Sequence, residues 1–392
     1  MKLRRQLLAV GLLASLCLTT TVRGALVPNP SAELIYFTED GTEAGTPLLP
    51  GFSNHSIWSG LGVASNGRVY IAVSNHQQPG GNAALYRYDP ATDQMATLGD
   101  IKAISSAVGN WMPNESQHKV HTFLLEHADG QLYFASDDYD PSPFLRGAHL
   151  YRIDPVTEMV EDYSQTTPFL MQQDLTVISN TGQNAERSGI FIEYYGIKGI
   201  GLNPLAPDLL YAMTYPDGHL IKHRLSDGSM QVVGQSQRVS YAFYVSNTGD
   251  VYYSDVDGTS QTLYKYDEST DSTFVIASGL PVALNGEIGA IAPQADGRYV
   301  YFLLAGTKQV YRLDTQLDQF TFFADPGGAN YWRLYNMHLS PDEKSLYFVS
   351  NNNNHSTIRR IDVATQTSQR GAGRRRAAGN PQSLLRRHGS LG

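Results

Sequence analysis

Five of the eleven histidines in this chain are His55, His76, His118, His121 and His355, and each stands at the end of a short hydrophobic segment. Imidazoles change charge near neutral pH, so such residues can take or give protons and donate hydrogen bonds. His55 and His76 form a pair, each preceded by an asparagine (Asn54, Asn75), at equivalent ends of two neighbouring segments. His121 opens the next such segment and is a rival for either place. The same kind of position holds Tyr139, Tyr195 and Tyr244 as further acid or base candidates, and Lys198 and Arg333 as cations. Trp58, Tyr331 and Trp332 supply aromatic faces of the type that stack on sugars. Arg146 and His149, in RGAHLYRIDP, are a second cationic pair suited to an acidic group. For any one histidine, a rim residue bonded to backbone is as good a reading. For the cluster it is the weaker one.

The segments that must position these residues repeat. LYRYDP (Leu85 to Pro90), LYRIDP (Leu150 to Pro155), IKHRLSDG (Ile221 to Gly228), LYKYDE (Leu263 to Glu268), VYRLDT (Val310 to Thr315) and IRRIDV (Ile358 to Val363) are copies of one strand and turn. The third and sixth lack the aromatic residue. Each copy follows a second strand, such as GRVYIAVSN or GDVYYSDVD, and an inner strand before that. Alternating apolar residues rich in Tyr, Val and Ile, separated by Asn-Gly and Asp-Gly turns, predict half-buried strands joined by hairpins. Self-similarity at about 40–50 residues carried by short strands predicts a β-propeller. The fold class expected is therefore all-β, with four-stranded antiparallel blades. Six blades are visible in the repeat, and a seventh is expected from the segment around Leu34 to Gly45.

In such a fold the first strand of a blade starts, and the second ends, on one face around the central channel. The histidines above fall on that face. The spacing is unequal. Asp89 to Asp154 is 65 residues and Asp154 to Leu225 is 71, against 42, 47 and 48 for the later copies. Long insertions lie in loops, commonly on the binding face, so the first half of the chain carries the elaborate ones.

Residues 1–24 combine Lys2, Arg4 and Arg5, an apolar run and Val22-Arg23-Gly24, the pattern of a secretory signal peptide. The apolar run is too short to span a bilayer. The chain's one cysteine lies within it, so a protein trimmed there has no disulfide and no thiolate ligand. Residues 25–368 are expected to form the propeller. Residues 369–392, rich in Arg, Gly and Ala, read as a disordered tail. Leader and tail hold 10 of the 29 basic residues, which leaves 19 against 37 acidic in the body, a net charge of −18. That field repels polyanions at long range, so nucleic acid is not the expected partner, and an anionic substrate needs a local cationic cluster. No membrane partner is expected, and the destination is extracellular or periplasmic.

No nucleophile elbow, zincin helix, Walker loop or dinucleotide fingerprint occurs. The carboxylates at Asp137, Asp138 and Asp140 are a weak signal for a structural calcium ion and do not match an EF-hand. No other cofactor is expected.

SNHSIWSGLGVASNG (Ser53 to Gly67), followed by VYIAVSNHQQPGGNAALYRYDP, resembles the propeller-type ulvan lyases of marine bacteria, as does KVHTFLLEHADGQLYFASDDYDP with RGAHLYRIDP. The resemblance covers roughly residues 30–365. It implies a seven-bladed propeller that cuts ulvan, a sulfated rhamnose–uronate polysaccharide, by β-elimination, with no redox or nucleotide cofactor. It implies a catalytic histidine pair, best matched by His55 and His76, with a tyrosine and an arginine near the uronate carboxylate. Tyr139, Tyr195 and Tyr244 compete for the tyrosine. Arg146, Lys198 and Arg333 compete for the cation, and no pair stands at the family's spacing. Two other readings share the fold. One is a metal-dependent lactonase or hydrolase, which Asn285, Glu287 and Asp255 would serve. The other is a carbohydrate-binding propeller without catalysis.

Overall fold

The computed structural model describes residues 49, 52, 57, 59–75, 80–137, 146–171, 174–178, 189–236, 243–257, 260–281, 288–304, 309–325, 337–352 and 355–370. Six four-stranded antiparallel meanders follow one another along the chain. The first is Leu61–Val63, Val69–Ser74, Ala83–Asp89 and Gln94–Asp100, and the second Leu125–Glu126, Leu132–Ala135, Leu150–Ile153 and Val160–Asp162. The third runs Gly196–Leu202, Leu209–Tyr215, Gly218–Arg224 and Met230–Ser236. The fourth is Tyr244–Val245, Val251–Asp257, Ser260–Asp267 and Ser272–Pro281. The fifth is Ile288–Pro293, Tyr299–Leu304, Gln309–Asp314 and Gln319–Ala324, and the sixth Met337–Leu339, Ser345–Asn352, His355–Asp362 and Ser368–Arg370. The protein is a β-propeller with four-stranded antiparallel blades.

A further four-stranded sheet stands among the described residues. It joins Val177–Ile178, Phe169–Leu170, Ile192–Glu193 and Gly147–Ala148, and its central pairing is parallel. Gly147–Ala148 runs on into the second blade at Leu150. Three of its strands lie in the long interval between the second and third copies of the repeat, and Gly147–Ala148 comes just before the second. Residues 34–45, expected to complete a seventh blade, lie outside the described residues, as do the leader and residues 371–392. The other long interval holds the helix Ile101–Ala107, N-capped by Asp100 through Ala103 N at 2.8 Å, and the segment after it.

The repeated acid has a structural task. Asp89, Asp154, Asp267, Asp314 and Asp362 each accept a hydrogen bond from the backbone N–H two residues on, at 2.8–3.1 Å. This local bond mimics a backbone turn. Four residues after each acid the chain takes a left-handed residue: Asp93, Glu158, Asp271, Asp318 and Gln366, with φ between 50° and 60°. A turn closed by one left-handed residue is a common way to join twisted strands. In the third copy Leu225 replaces the acid. There Asp208 crosses over and accepts from Ser226 N at 2.7 Å.

The same turns staple blade to blade. Tyr211 Oη donates to Glu268 in the fourth blade's turn at 2.6 Å, and Tyr252 Oη donates to Asp318 in the fifth blade's at 2.8 Å. Lys265 Nζ shares Asp318, and Arg68 Nη1 reaches Glu158 in the second blade's turn at 2.9 Å. Tyr163, in the insertion, donates to Leu225 O at 2.9 Å. Each staple lies at the turn end of the blades, opposite the end where the first strands start and the second strands finish.

Tyr252→Phe removes one staple while Asp318 keeps Lys265. A hydrogen bond to a charged group contributes about 1.5–3 kcal/mol. Denaturant unfolding is expected to show a loss of that size, and a change under about 0.5 kcal/mol contradicts the stapling role.

Candidate active site

Asp137 is where the second and third blades meet on the histidine-bearing face. It follows Leu132–Ala135 and forms an antiparallel bridge with Lys119, donating its N–H to Lys119 O at 2.9 Å. That bridge draws the segment carrying His118 and His121 alongside it. From the third blade, Lys198 sits where the register slips between Ile197 and Gly199. A bulge of this kind turns a side chain away from its normal alternation, and here the lysine turns inward. Gly196, two residues earlier, is needed for contact. A Cβ there would lie 1.8 Å from Asp137 Oδ1.

The result is a compact buried triad. Lys198 Nζ donates to Asp137 Oδ2 at 2.6 Å, and His121 Nε2 lies 3.3 Å from the same oxygen. His121 is 4% exposed, Asp137 1%, Lys198 4% and neighbouring His118 2%, so solvent screens none of these charges. Burial alone would raise the Asp137 carboxyl, but the Lys198 ammonium, aided by His121 and His118, outweighs it and brings it down to about 2. Burial, then the Lys198 charge, pushes His121 well below the usual imidazole range, against the partial pull of Asp137. His121 is therefore a neutral imidazole at neutral pH. That is the state a general base needs.

A rim adjoins the triad. The Lys198 ammonium lies 4.1 Å over the ring of Tyr215, which is half-buried at the end of a second-position strand. Tyr195 Oη donates to exposed Asp217 at 3.0 Å, and its ring meets His219 edge-on at 5.4 Å. The turn carrying these groups is tied by His219 N donating to Thr214 Oγ1 at 2.8 Å.

The structure thus brings together His121, Tyr195 and Lys198 of the residues singled out in the sequence. Asn75 lies on the same side. Its Oδ1 accepts from Asn82 N at 2.9 Å, clamping the two ends of the loop between them. Tyr244 is not in this group. It is buried in the packing of the fourth and fifth blades, stacked on Tyr252 at 6.4 Å. Arg146 and His149 lie behind the triad rather than beside it. Arg146 donates to Glu115 Oε2 at 2.9 Å. His149 is fully buried, with Nδ1 2.8 Å from Asp162 and Nε2 2.7 Å from Glu115. His149 has no surface to offer a ligand, because two carboxylates enclose it. His55, His76, Tyr139, Asn54, Trp58, Tyr331, Trp332 and Arg333 lie outside the described residues. So do Asn285 and Glu287 of the lactonase reading, and Asp138 and Asp140 of the calcium reading. Asp137, the remaining carboxylate of that loop, holds Lys198 instead. Among the described residues no cluster of three histidine, cysteine or acidic side chains has metal-binding geometry.

Several residues of this region were not foreseen as functional. Glu115 reads in sequence only as the middle of Asn114-Glu115-Ser116, and Asp162 as an ordinary strand end. The Tyr195-Gly196-Ile197-Lys198-Gly199 run was the one available signal, since paired glycines around a lysine mark a close backbone approach.

No family model matches the chain, and no curated protein matches it. Solved structures do. One is a candidate 6-phosphogluconolactonase from Bacteroides fragilis, at TM-score 0.50 and 13% identity over 80% of this chain and 82% of that one. A functionally unknown protein from Desulfotomaculum acetoxidans aligns at TM-score 0.48 and 12% identity over 83% and 87%. An oligogalacturonate lyase in complex with manganese aligns at 0.47 and 12% over 76% and 67%. The likeness at TM-score 0.50 and 13% identity shows the fold alone.

Gly196→Ala is expected to push Asp137 off Lys198 and His121. Overpacking of this kind costs about 1–3 kcal/mol. An unchanged unfolding midpoint would contradict the close approach of Gly196 to Asp137.

Proposed function

We propose that the protein is an exported polysaccharide lyase that cleaves ulvan by β-elimination, leaving a 4,5-unsaturated uronyl end. The observation that carries this reading is the neutral, buried imidazole of His121 beside the Asp137–Lys198 pair, on the face where the repeat also places His55 and His76. Elimination breaks the C5–H and C4–O bonds of a uronate and forms the C4–C5 double bond. The C5 proton is weakly acidic, so the carbanion-like state is reached only when positive charge faces the adjoining carboxylate. Neutral His121 is suited to take the proton. Lys198, held over Tyr215, puts a cation near the site within a body of strongly negative net charge. Tyr195 and Tyr139 are the candidates to protonate the leaving oxygen, and Tyr195 would first have to leave Asp217. The half-buried ring of Tyr215 offers a sugar-stacking face, as do Trp58, Tyr331 and Trp332 in the sequence. The chemistry uses side chains alone, with calcium at most a structural addition. Export through residues 1–24 places the enzyme with its algal polymer, outside the cell or in the periplasm.

Incubation of the purified protein with ulvan is expected to raise the ultraviolet absorbance of unsaturated uronate. His121→Gln, with an unchanged circular dichroism spectrum, is expected to lower kcat by about 10²–10⁴-fold, the usual contribution of a general base. Full activity in that variant would move the base to His55 or His76. No product from the folded wild type would overturn the lyase reading in favour of binding or hydrolysis.

A further inference from the structure

A second buried cluster brings four ionisable groups together. Glu115 and His149 are at most 1% exposed, and Arg146 and Asp162 are 7% and 6% exposed. His149 faces Asp162 through Nδ1 at 2.8 Å and Glu115 through Nε2 at 2.7 Å. Nδ1 hydrogen-bonds Asp162 and Nε2 meets Glu115 as an ion-pair contact, and a carboxylate against each ring nitrogen favours the imidazolium. Arg146 adds a second cation on Glu115, and it also donates to Asn110 O at 2.8 Å and to Asn110 Oδ1 at 2.9 Å. Asn110 Nδ2 and Ser105 Oγ donate to Asp162 Oδ2 at 2.6 and 2.7 Å, and Ser164 Oγ donates to Asp162 Oδ1 at 2.5 Å. Two carboxylates and two cations thus balance in an interior where an unpaired charge is strongly destabilising.

This cluster joins parts of the chain far apart in sequence. It ties the helix Ile101–Ala107 and the segment after it to the second blade. From there the bonds lead to the triad. His149 N donates to Ser136 Oγ at 2.8 Å, and Ser136 N donates to His149 O at 3.0 Å. Ser136 is the residue before Asp137. Gln117 Nε2 donates to Glu115 Oε1 at 3.0 Å and to Gly147 O at 2.8 Å, and Ser136 Oγ donates to Gln117 Oε1. Gln117 is the residue before His118. Gln117 N also donates to Gly81 O at 2.9 Å, and Gly81 N donates to Ser116 Oγ at 3.0 Å, which ties this segment to Gly81 beside the Asn75–Asn82 contact.

We propose that Glu115, Arg146, His149 and Asp162 form a charge-balanced latch, with the His149 imidazolium as the positioning residue that seats the His121–Asp137–Lys198 triad. The positioning role rests on the lyase reading only where turnover is its readout. The latch itself does not. Besides Glu115, Asp162 and Arg146, the titratable group facing His149 is Tyr151, stacked on it at 5.8 Å with its hydroxyl 3.0 Å from Ser105 Oγ. Burial and the acids hold that phenol well above its ordinary range, so it stays neutral. Burial lowers the His149 imidazolium, but Asp162 and Glu115 outweigh it and raise it to about 9. A raised pKa gives stability that is complete below the ordinary imidazole value of 6.5 and is lost as pH rises through about 9. On the acid side, burial raises Glu115, yet His149 and Arg146 bring it down to about 2, so its contribution is complete above the ordinary value of 4.5 and is lost as pH falls from there through about 2.

The test compares wild type with Glu115→Gln, and with Asp162→Asn as a second variant. It reads the pH dependence of the melting temperature, of kcat and KM on ulvan, and of the His121 imidazole resonances. In wild type, melting temperature and kcat are expected to fall together as pH rises through about 9, with KM unchanged because the latch touches no substrate. Each variant removes one carboxylate from His149, so both alkaline limbs should move down by at least about one pH unit, a factor of about ten in proton affinity. His121 resonances should shift as His149 titrates. An alkaline limb of kcat that stays in place in a folded variant would reduce His149 to a packing residue. If neither variant folds, wild type decides alone: a melting temperature flat through that alkaline range overturns the latch. If ulvan is not cleaved at all, the melting curves and the His121 resonances still decide the latch, and only the lyase reading is lost.

Discussion

Everything on the chemical face turns on one carboxylate, Asp137. It is buried at the junction of two blades and holds the Lys198 ammonium at 2.6 Å and His121 at 3.3 Å through a single oxygen. Removing one partner of a buried ion pair typically costs about 3–5 kcal/mol, because the other charge is stranded. The surrounding backbone is shaped to keep the pair intact. Gly196 leaves the space, the bulge at Lys198 supplies the direction, and the bridge to Lys119 supplies the anchor. Fold and site are inseparable here. The third blade cannot shift relative to the second without breaking the contact that sets the charge state of His121.

Two buried histidines of this region, His121 and His149, are driven in opposite directions by their neighbours. His121 has a lysine close by and one shared acid, so burial wins and it is neutral. His149 has an acid on each nitrogen, so the acids win and it is charged. Pairs of groups whose surroundings separate their pKa values in this way divide labour: one is available to accept a proton, the other to hold structure. The segment inserted after the first blade brings Glu115 and Asn110 to the second blade, whose own strand end supplies Asp162 as the other acid on His149.

The repeat made the architecture readable. Tyr, Val and Ile alternation and the Asp-bearing turns marked the strands of six blades, and the fourth strand, such as Gln94–Asp100, was inferred correctly. The acid that made the repeat conspicuous proved to be turn chemistry, and in the third copy, which lacks it, Asp208 from a neighbouring turn accepts from Ser226 N instead. The further sheet was not readable, because its strands are two residues long and one pairing is parallel, which leaves no periodic pattern. Lys198 and His121 were legible as members of one face from their place in the blade. Their shared partner was hidden because Asp137 sits in a run of acids that reads as a solvated loop. Arg146 and His149 looked like an anion site because the acids that neutralise them, Glu115 and Asp162, are 31 and 13 residues away in sequence.

Long-range proton–nitrogen correlation spectra of the imidazoles at neutral pH, with His121 and His149 assigned by substitution, test the central claim most directly. The account predicts that His121 is neutral and that both nitrogens of His149 are protonated. A protonated His121, or a neutral His149, would contradict it.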